Sequence, residues 1–121
     1  MTGVQTCALP ISASAAQALI EQLGLAEVAS KLPEEISGGQ AQRAGVARAL
    51  MGEPRLILAD EPTGQLDRGT AMQLIEVLLR QAEAIGAALV VATHDAAVVE
   101  RLPLRWTMTE RILQTGTSCT F

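Results

Sequence analysis

Leu56-Ile57-Leu58-Ala59-Asp60-Glu61-Pro62, midway along the chain, joins an aliphatic segment to a polar turn. Its unbroken apolar run is too short for an ordinary helix and reads as a strand buried on both faces. The run ends in two carboxylates and a proline, which cannot donate to a ladder. Further on, Ala88-Leu89-Val90-Val91-Ala92 repeats the pattern and ends in Thr93-His94-Asp95. Between the two, residues 68–85 carry Ile75, Leu78, Ala82 and Ile85 as one helical stripe, with Gly86 as its stop. Strand, helix, strand is the grammar of a parallel α/β sheet. In such sheets chemistry gathers at the carboxyl ends of the strands, which places a site beside Asp60, Glu61 and His94.

Residues 13–30 have helical spacing at Ala16, Leu19, Ile20, Leu23, Leu25 and Val28, with Gly24 splitting two short helices. Pro33 interrupts, and Ser37-Gly38-Gly39-Gln40 opens a further helix with Ser37 and Gln40 spaced as a capping box. Ala44, Ala47, Leu50 and Met51 form one side of it, and Gly52 and Pro54 close it. After His94 a short helix runs to about residue 102, where Pro103 forbids continuation. Residues 104–108 and 111–113 look like a final pair of short strands.

Composition narrows the class. Of 121 residues, 49% are hydrophobic and 18% charged, enough apolar material for a packed core. Nine basic against thirteen acidic side chains give a net charge of -4. With 2% aromatics, this is neither the basic stripe nor the stacking surface that nucleic-acid binding needs. No apolar run approaches the length of a membrane span. Cys7 and Cys119 have no partners at metal-ligand spacing.

Each polar cluster has a chemical and a structural reading. Asp60, after a buried strand, suits Mg²⁺ held through water beside phosphates, and Glu61 could polarise an attacking water; the same residues could merely cap a strand and begin a turn. Ser37-Gly38-Gly39 offers backbone N–H groups and the positive end of a helix dipole to a phosphate, or is an ordinary capped helix start. His94 could donate to a terminal phosphate or be a satisfied structural histidine. Asp67 could cap the helix from Arg68 or signal across a subunit interface.

Taken in order, Ile36-Ser37-Gly38-Gly39-Gln40-Ala41-Gln42-Arg43, Ala47-Arg48-Ala49-Leu50, Leu56-Ile57-Leu58-Ala59-Asp60-Glu61-Pro62-Thr63, Gly64-Gln65-Leu66-Asp67 and Thr93-His94-Asp95 resemble the second half of an ATP-binding-cassette nucleotide-binding domain. The fold implied is α/β, a partial P-loop NTPase core with parallel strands and part of the helical subdomain, its Walker A half missing. By this resemblance Ser37, Gly38, Gly39 and Gln40 are the signature motif, acting in trans on ATP held by a partner subunit. Asp60 is the Walker B aspartate on water-bound Mg²⁺, Glu61 the catalytic base, Asp67 the D-loop aspartate and His94 the switch histidine. Ile36 replaces the more usual leucine, and Gln65 is a less common choice in the D-loop.

The resemblance implies an ABC-type ATPase that binds ATP and Mg²⁺, pairs head-to-tail with a second ATPase subunit and drives transmembrane permease subunits. Its place is cytoplasmic, peripheral on the inner face of the plasma membrane. Residues 62–67 look more like lipoprotein-release, macrolide-export and cell-division ATPases than like translation-associated cassettes. Walker A needs Gly-x-x-x-x-Gly-Lys-Ser/Thr, and the sole lysine, Lys31, lies in Ala29-Ser30-Lys31-Leu32. The chain alone is therefore expected not to hydrolyse ATP, and its strands to expose apolar faces and unpaired edges. A non-catalytic module lending its signature face in trans, or an inert truncated product, are the alternatives. Residues 1–12 resemble a translated sequencing adaptor and are read as non-native. Residues 13–113 are read as the C-terminal part of an ATPase domain and 114–121 as an uninterpreted tail, where Glu110-Arg111 departs from the family's usual aspartate-glycine turn.

Overall fold

The computed structural model describes residues 12–116. The stretch read as adaptor-derived thus lies outside the described residues, apart from Ser12, as does the tail beyond Gly116. Helix α1 spans Ala13–Gln22 and is capped by the Ser12 hydroxyl, which accepts the Ala15 N–H. The expected second helix after Gly24 reduces to 3₁₀ turns at Ala26–Val28 and Pro33–Glu35. Gly24 sits in the left-handed region at φ 64°, which ends α1 sharply. The segment before Pro33 is then too short to propagate a helix of its own.

Helix α2 (Gly38–Met51) starts at the expected capping box and turns Leu50 into the core. Strand β1 (Leu56–Asp60) follows, then α3 (Arg68–Ile85), whose Gly86 closes it with φ 67°. Strand β2 (Ala88–Ala92) lies parallel to β1, pairing Leu56 with Ala88 and Asp60 with Ala92. A four-residue helix α4 (Ala96–Val99) comes next, its turn continuing to Leu102 through backbone bonds. Strands β3 (Arg105–Thr109) and β4 (Ile112–Gly116) form a separate antiparallel hairpin, so β4 takes in residues that the sequence reading left in the tail. No helix among the described residues is long and apolar enough to cross a membrane.

The core lies between the β1–β2 sheet and the helices. Leu74, Ile75, Leu78 and Val98 are its most completely buried large side chains, with Leu19, Leu23, Leu25, Leu50, Ile57, Val77 and Ala82 around them. Both strands alternate. Ile57 is buried, and Leu89 and Val91 pack against the core. Leu56, Leu58 and Val90 point the other way and are exposed. Burial on both faces, as the composition of the runs suggests, is therefore corrected to burial on one, and the exposed apolar face expected without the Walker A half is present at Leu56, Leu58 and Val90: helices pack on a single side of the pair.

Candidate active site

β1 and β2 end side by side, with Asp60 opposite Ala92, and the chain beyond them builds the site. The Glu61 N–H donates to the Ala92 carbonyl at 2.8 Å, adding one more bond across the ladder. Glu61 then turns into the left-handed region at φ 44°, an unfavourable conformation for a residue with a Cβ. Its carbonyl accepts from the Gln42 side-chain amide at 2.7 Å and from the Gly64 N–H at 3.1 Å.

That turn carries the carboxylate across the end of β2. Oε1 lies 2.6 Å from Nδ1 of His94 and also accepts the His94 backbone N–H at 3.2 Å, while Oε2 accepts the Thr93 hydroxyl at 3.2 Å. An ionised carboxylate only accepts, so the proton in the short contact belongs to Nδ1. The hydrogen bond to His94 holds the Glu61 carboxyl below its usual value against partial desolvation. The same bond, reinforced by the negative charge of Glu61, holds the imidazole above its own. The His94 side chain is 90% exposed, which leaves the ring open to an incoming phosphate or water. Asp95 is spent on structure, capping α4 by accepting the Ala97 N–H at 2.9 Å.

Asp60 shares the outward face of β1 with Leu56 and Leu58, and its carboxylate has no hydrogen-bond partner among the described residues. No cluster of three or more His, Cys, Asp or Glu side chains that could hold a metal occurs among them either. A lone exposed carboxylate fits a magnesium ion that keeps most of its ligands as water and phosphate oxygen, and does not fit an all-protein cage.

At the tip of α2, the Ser37 hydroxyl accepts the Gln40 N–H at 3.2 Å and the Gln40 side chain accepts the Ser37 N–H at 2.9 Å. The reciprocal cap is present, and it leaves the N–H groups of Gly38 and Gly39 without acceptors at the positive end of the helix. Both glycines are also demanded by packing. A Cβ on Gly38 would fall on the Gln65 amide oxygen, and one on Gly39 would come within 2.9 Å of Leu66 Cδ2 and 3.2 Å of the Gln65 carbonyl. Asp67 caps α3, its Oδ2 accepting the Thr70 N–H at 3.1 Å and its Oδ1 the Thr70 hydroxyl at 2.6 Å. These bonds from Thr70 lower its carboxyl value.

Glu61 and His94 are thus brought into direct contact, Asp60 precedes them, and Gly38 and Gly39 pack on the loop that leads to Asp67. Ser37 and Gln40 bond each other and not the acidic pair. Sequence reasoning missed Gln42, Thr93 and Gln65. Thr93 left a hint in following the second strand beside His94, and Gln42 in lying one helical turn from Gly38 on the same face. A groove of about 330 Å³ between α1, α2 and α3 is bordered by Leu23, Arg43, Leu74 and Arg80; it is not lined by Asp60, Glu61 or His94.

The chain is similar to known proteins of one family. Residues 3–64 match the sequence model of the family described as ABC transporter. The lipoprotein-releasing system ATP-binding protein LolD of Shewanella oneidensis is 42% identical over 99 residues, covering 82% of this chain and 43% of that protein. LolD of Legionella pneumophila is 42% identical over 84 residues, covering 69% of this chain and 37% of that protein. The dimeric, post-hydrolysis ATP-binding cassette MJ0796 bound to ADP and Pi superposes with a TM-score of 0.68 at 36% identity, over 75% of this chain and 40% of that one. An inward-facing putative metal-chelate type ABC transporter gives 0.74 at 29% identity, over 93% and 46%. The chain spans less than half the length of each of these relatives. Matched over half of its length by the family's sequence model and 42% identical to a relative over 82% of it, the chain belongs to the ABC transporter family and carries part of its ATP-binding domain.

Proposed function

We propose that this chain supplies the hydrolytic and signature elements of an ATPase subunit that drives transport across a membrane. Glu61 accepts the proton of the attacking water, and His94, held by Glu61 through Nδ1 and open to solvent, donates from Nε2 to the terminal phosphate when the ring is protonated, the form that its pairing with Glu61 favours. Asp60 would hold Mg²⁺ together with water and the phosphates, and the ion would supply charge neutralisation on the phosphates. Ser37, Gly38, Gly39 and Gln40 form the helix tip that closes on ATP held by a second ATPase subunit in a head-to-tail dimer, with Asp67 at the interface between the two. Permease subunits are the membrane partners, and the subunit sits on the inner, cytoplasmic face. Lipoprotein release is the transport class that the similarity to LolD favours.

The observation that carries the reading is the 2.6 Å pairing of Glu61 with His94 at the carboxyl ends of adjacent parallel strands. Residues that hold the phosphates by a Walker A loop are not among these 121, so the isolated chain is expected to turn over no ATP. In an intact subunit carrying these residues, Glu61→Gln is expected to lower kcat by roughly 10²–10⁴-fold while ATP still binds. Unchanged turnover in that variant would remove Glu61 from the mechanism.

A further inference from the structure

We propose that Gln42 is a positioning residue for Glu61: from α2, its side-chain amide holds the Glu61 carbonyl, fixes the backbone that follows β1, and thereby aims the carboxylate at His94. The inference rests on the reading of Glu61 as the base and adds to it the group that sets its orientation.

Glu61 is clamped from two sides. On the β2 side its N–H is tied to Ala92 and its carboxylate to Thr93 and His94. On the α2 side its carbonyl takes the Gln42 amide at 2.7 Å, a half-buried bond between residues 19 apart in sequence. With Gly64 as second donor to the same oxygen, both lone pairs of that carbonyl are used. At φ 44° the residue would relax by rotating its backbone, and rotation would swing the carbonyl away from Gln42 and the carboxylate away from Nδ1. Gln42 is itself well anchored, because its neighbour Arg43 donates to the Leu23 carbonyl at 2.7 Å and Leu50 is buried further along the same helix. The helix whose tip presents Gly38 and Gly39 is therefore joined by one side chain to the acidic residue at the end of β1.

His94 is the sole histidine, so ring-¹⁵N-labelled protein reports one imidazole. At about pH 9, where imidazole is neutral, the ring nitrogen shifts give the ratio of the Nδ1–H to the Nε2–H tautomer in the full 121-residue chain. The Glu61 carboxylate should hold the wild type in the Nδ1–H form, and Glu61→Ala should release it. Gln42→Met keeps the length of the side chain and removes the donor. It is expected to lower the ratio about fivefold, the factor that one ordinary hydrogen bond commands. Gln42→Glu, with the same shape and no donor, should do the same if Met disturbs folding, and Gln42→Lys, which restores a donor, should recover the wild-type ratio. A packing role alone would leave the tautomer unmoved. If Glu61→Ala shifts the ratio and neither donor-less variant does, or if Lys fails to recover it, the role of Gln42 is overturned and the Glu61–His94 pairing stands. If Glu61→Ala leaves the imidazole unchanged, the pairing and the reading built on it both fall.

Discussion

Oε1 of Glu61 lies 2.6 Å from Nδ1 of His94 because β1 and β2 run parallel and end level with each other, Asp60 beside Ala92. Each partner moves the other's titration: Glu61 goes down from an ordinary 4.5 and His94 up from an ordinary 6.5, the shared hydrogen bond being the largest cause for both. The raised histidine contributes stability in full below its unfolded value, and loses it as pH rises through the folded one. The depressed carboxylate contributes in full above its unfolded value, and loses it as pH falls through the folded one. The pair is therefore most stabilising between about pH 4.5 and pH 6.5 and fades on either side. An NMR titration of His94 should show a value above 6.5 that drops toward it in Glu61→Ala. A wild-type value at or below 6.5 would contradict the pairing.

Neighbours in β1 should respond in opposite ways. Ile57 is 5% exposed and packs in the core, so Ile57→Ala is expected to cost about 2–5 kcal/mol in urea unfolding. Leu58 is 72% exposed and continues an apolar face with Leu56 and Val90. Leu58→Thr should change stability by no more than about 0.5 kcal/mol and should reduce self-association in sedimentation velocity, because it breaks up an exposed apolar sheet face. Equal losses of stability at both positions would mean that the strand is covered on both sides.

Periodicity carried the helices and strands well where the cause is local. Ser37 and Gln40 at capping-box spacing, Gly86 after an amphipathic run, and the two short aliphatic runs all map onto elements of the structure. What misled was context. A run such as Leu56-Ile57-Leu58-Ala59 has the composition of a doubly buried strand whether or not anything covers its second face; the exposed face was legible only from the missing Walker A loop. Glu61 and His94 were legible as neighbours through the rule that strand ends gather chemistry. Their contact depends on the positive φ of Glu61 and on the Gln42 amide beneath it, and neither leaves a periodic mark. Gln65 likewise gained meaning only when its side chain was found over Gly38.

Ser37 serves α2 locally whatever it does for a phosphate. Ser37→Ala removes the acceptor of the Gln40 N–H and should cost about 1 kcal/mol, with faster amide exchange at Gln40. Ser37→Asn, which can still cap, should lose much less. Unchanged exchange at Gln40 in the alanine variant would show that the reciprocal cap does not hold the helix start.

The β3–β4 hairpin is joined by two residues, Glu110 at φ 50° and Arg111 at φ 66°. Positive φ at both central positions is the geometry of a type I′ turn, which asparagine followed by glycine adopts most readily and which residues with long side chains resist. The strands themselves give the turn little help, since Trp106, Met108, Ile112 and Leu113 are all exposed. The double substitution Glu110→Asn and Arg111→Gly should therefore strengthen the ladder from the turn outward. Amide exchange should slow first at Thr109 and Ile112, next to the turn, and then at Met108 and Leu113. Leu74 and Ile75, buried on α3, should exchange as before. Slower exchange throughout the chain would mean that the hairpin is coupled to the core. Faster exchange at Thr109 would mean that Glu110 and Arg111 support the turn through contacts that their replacements lack.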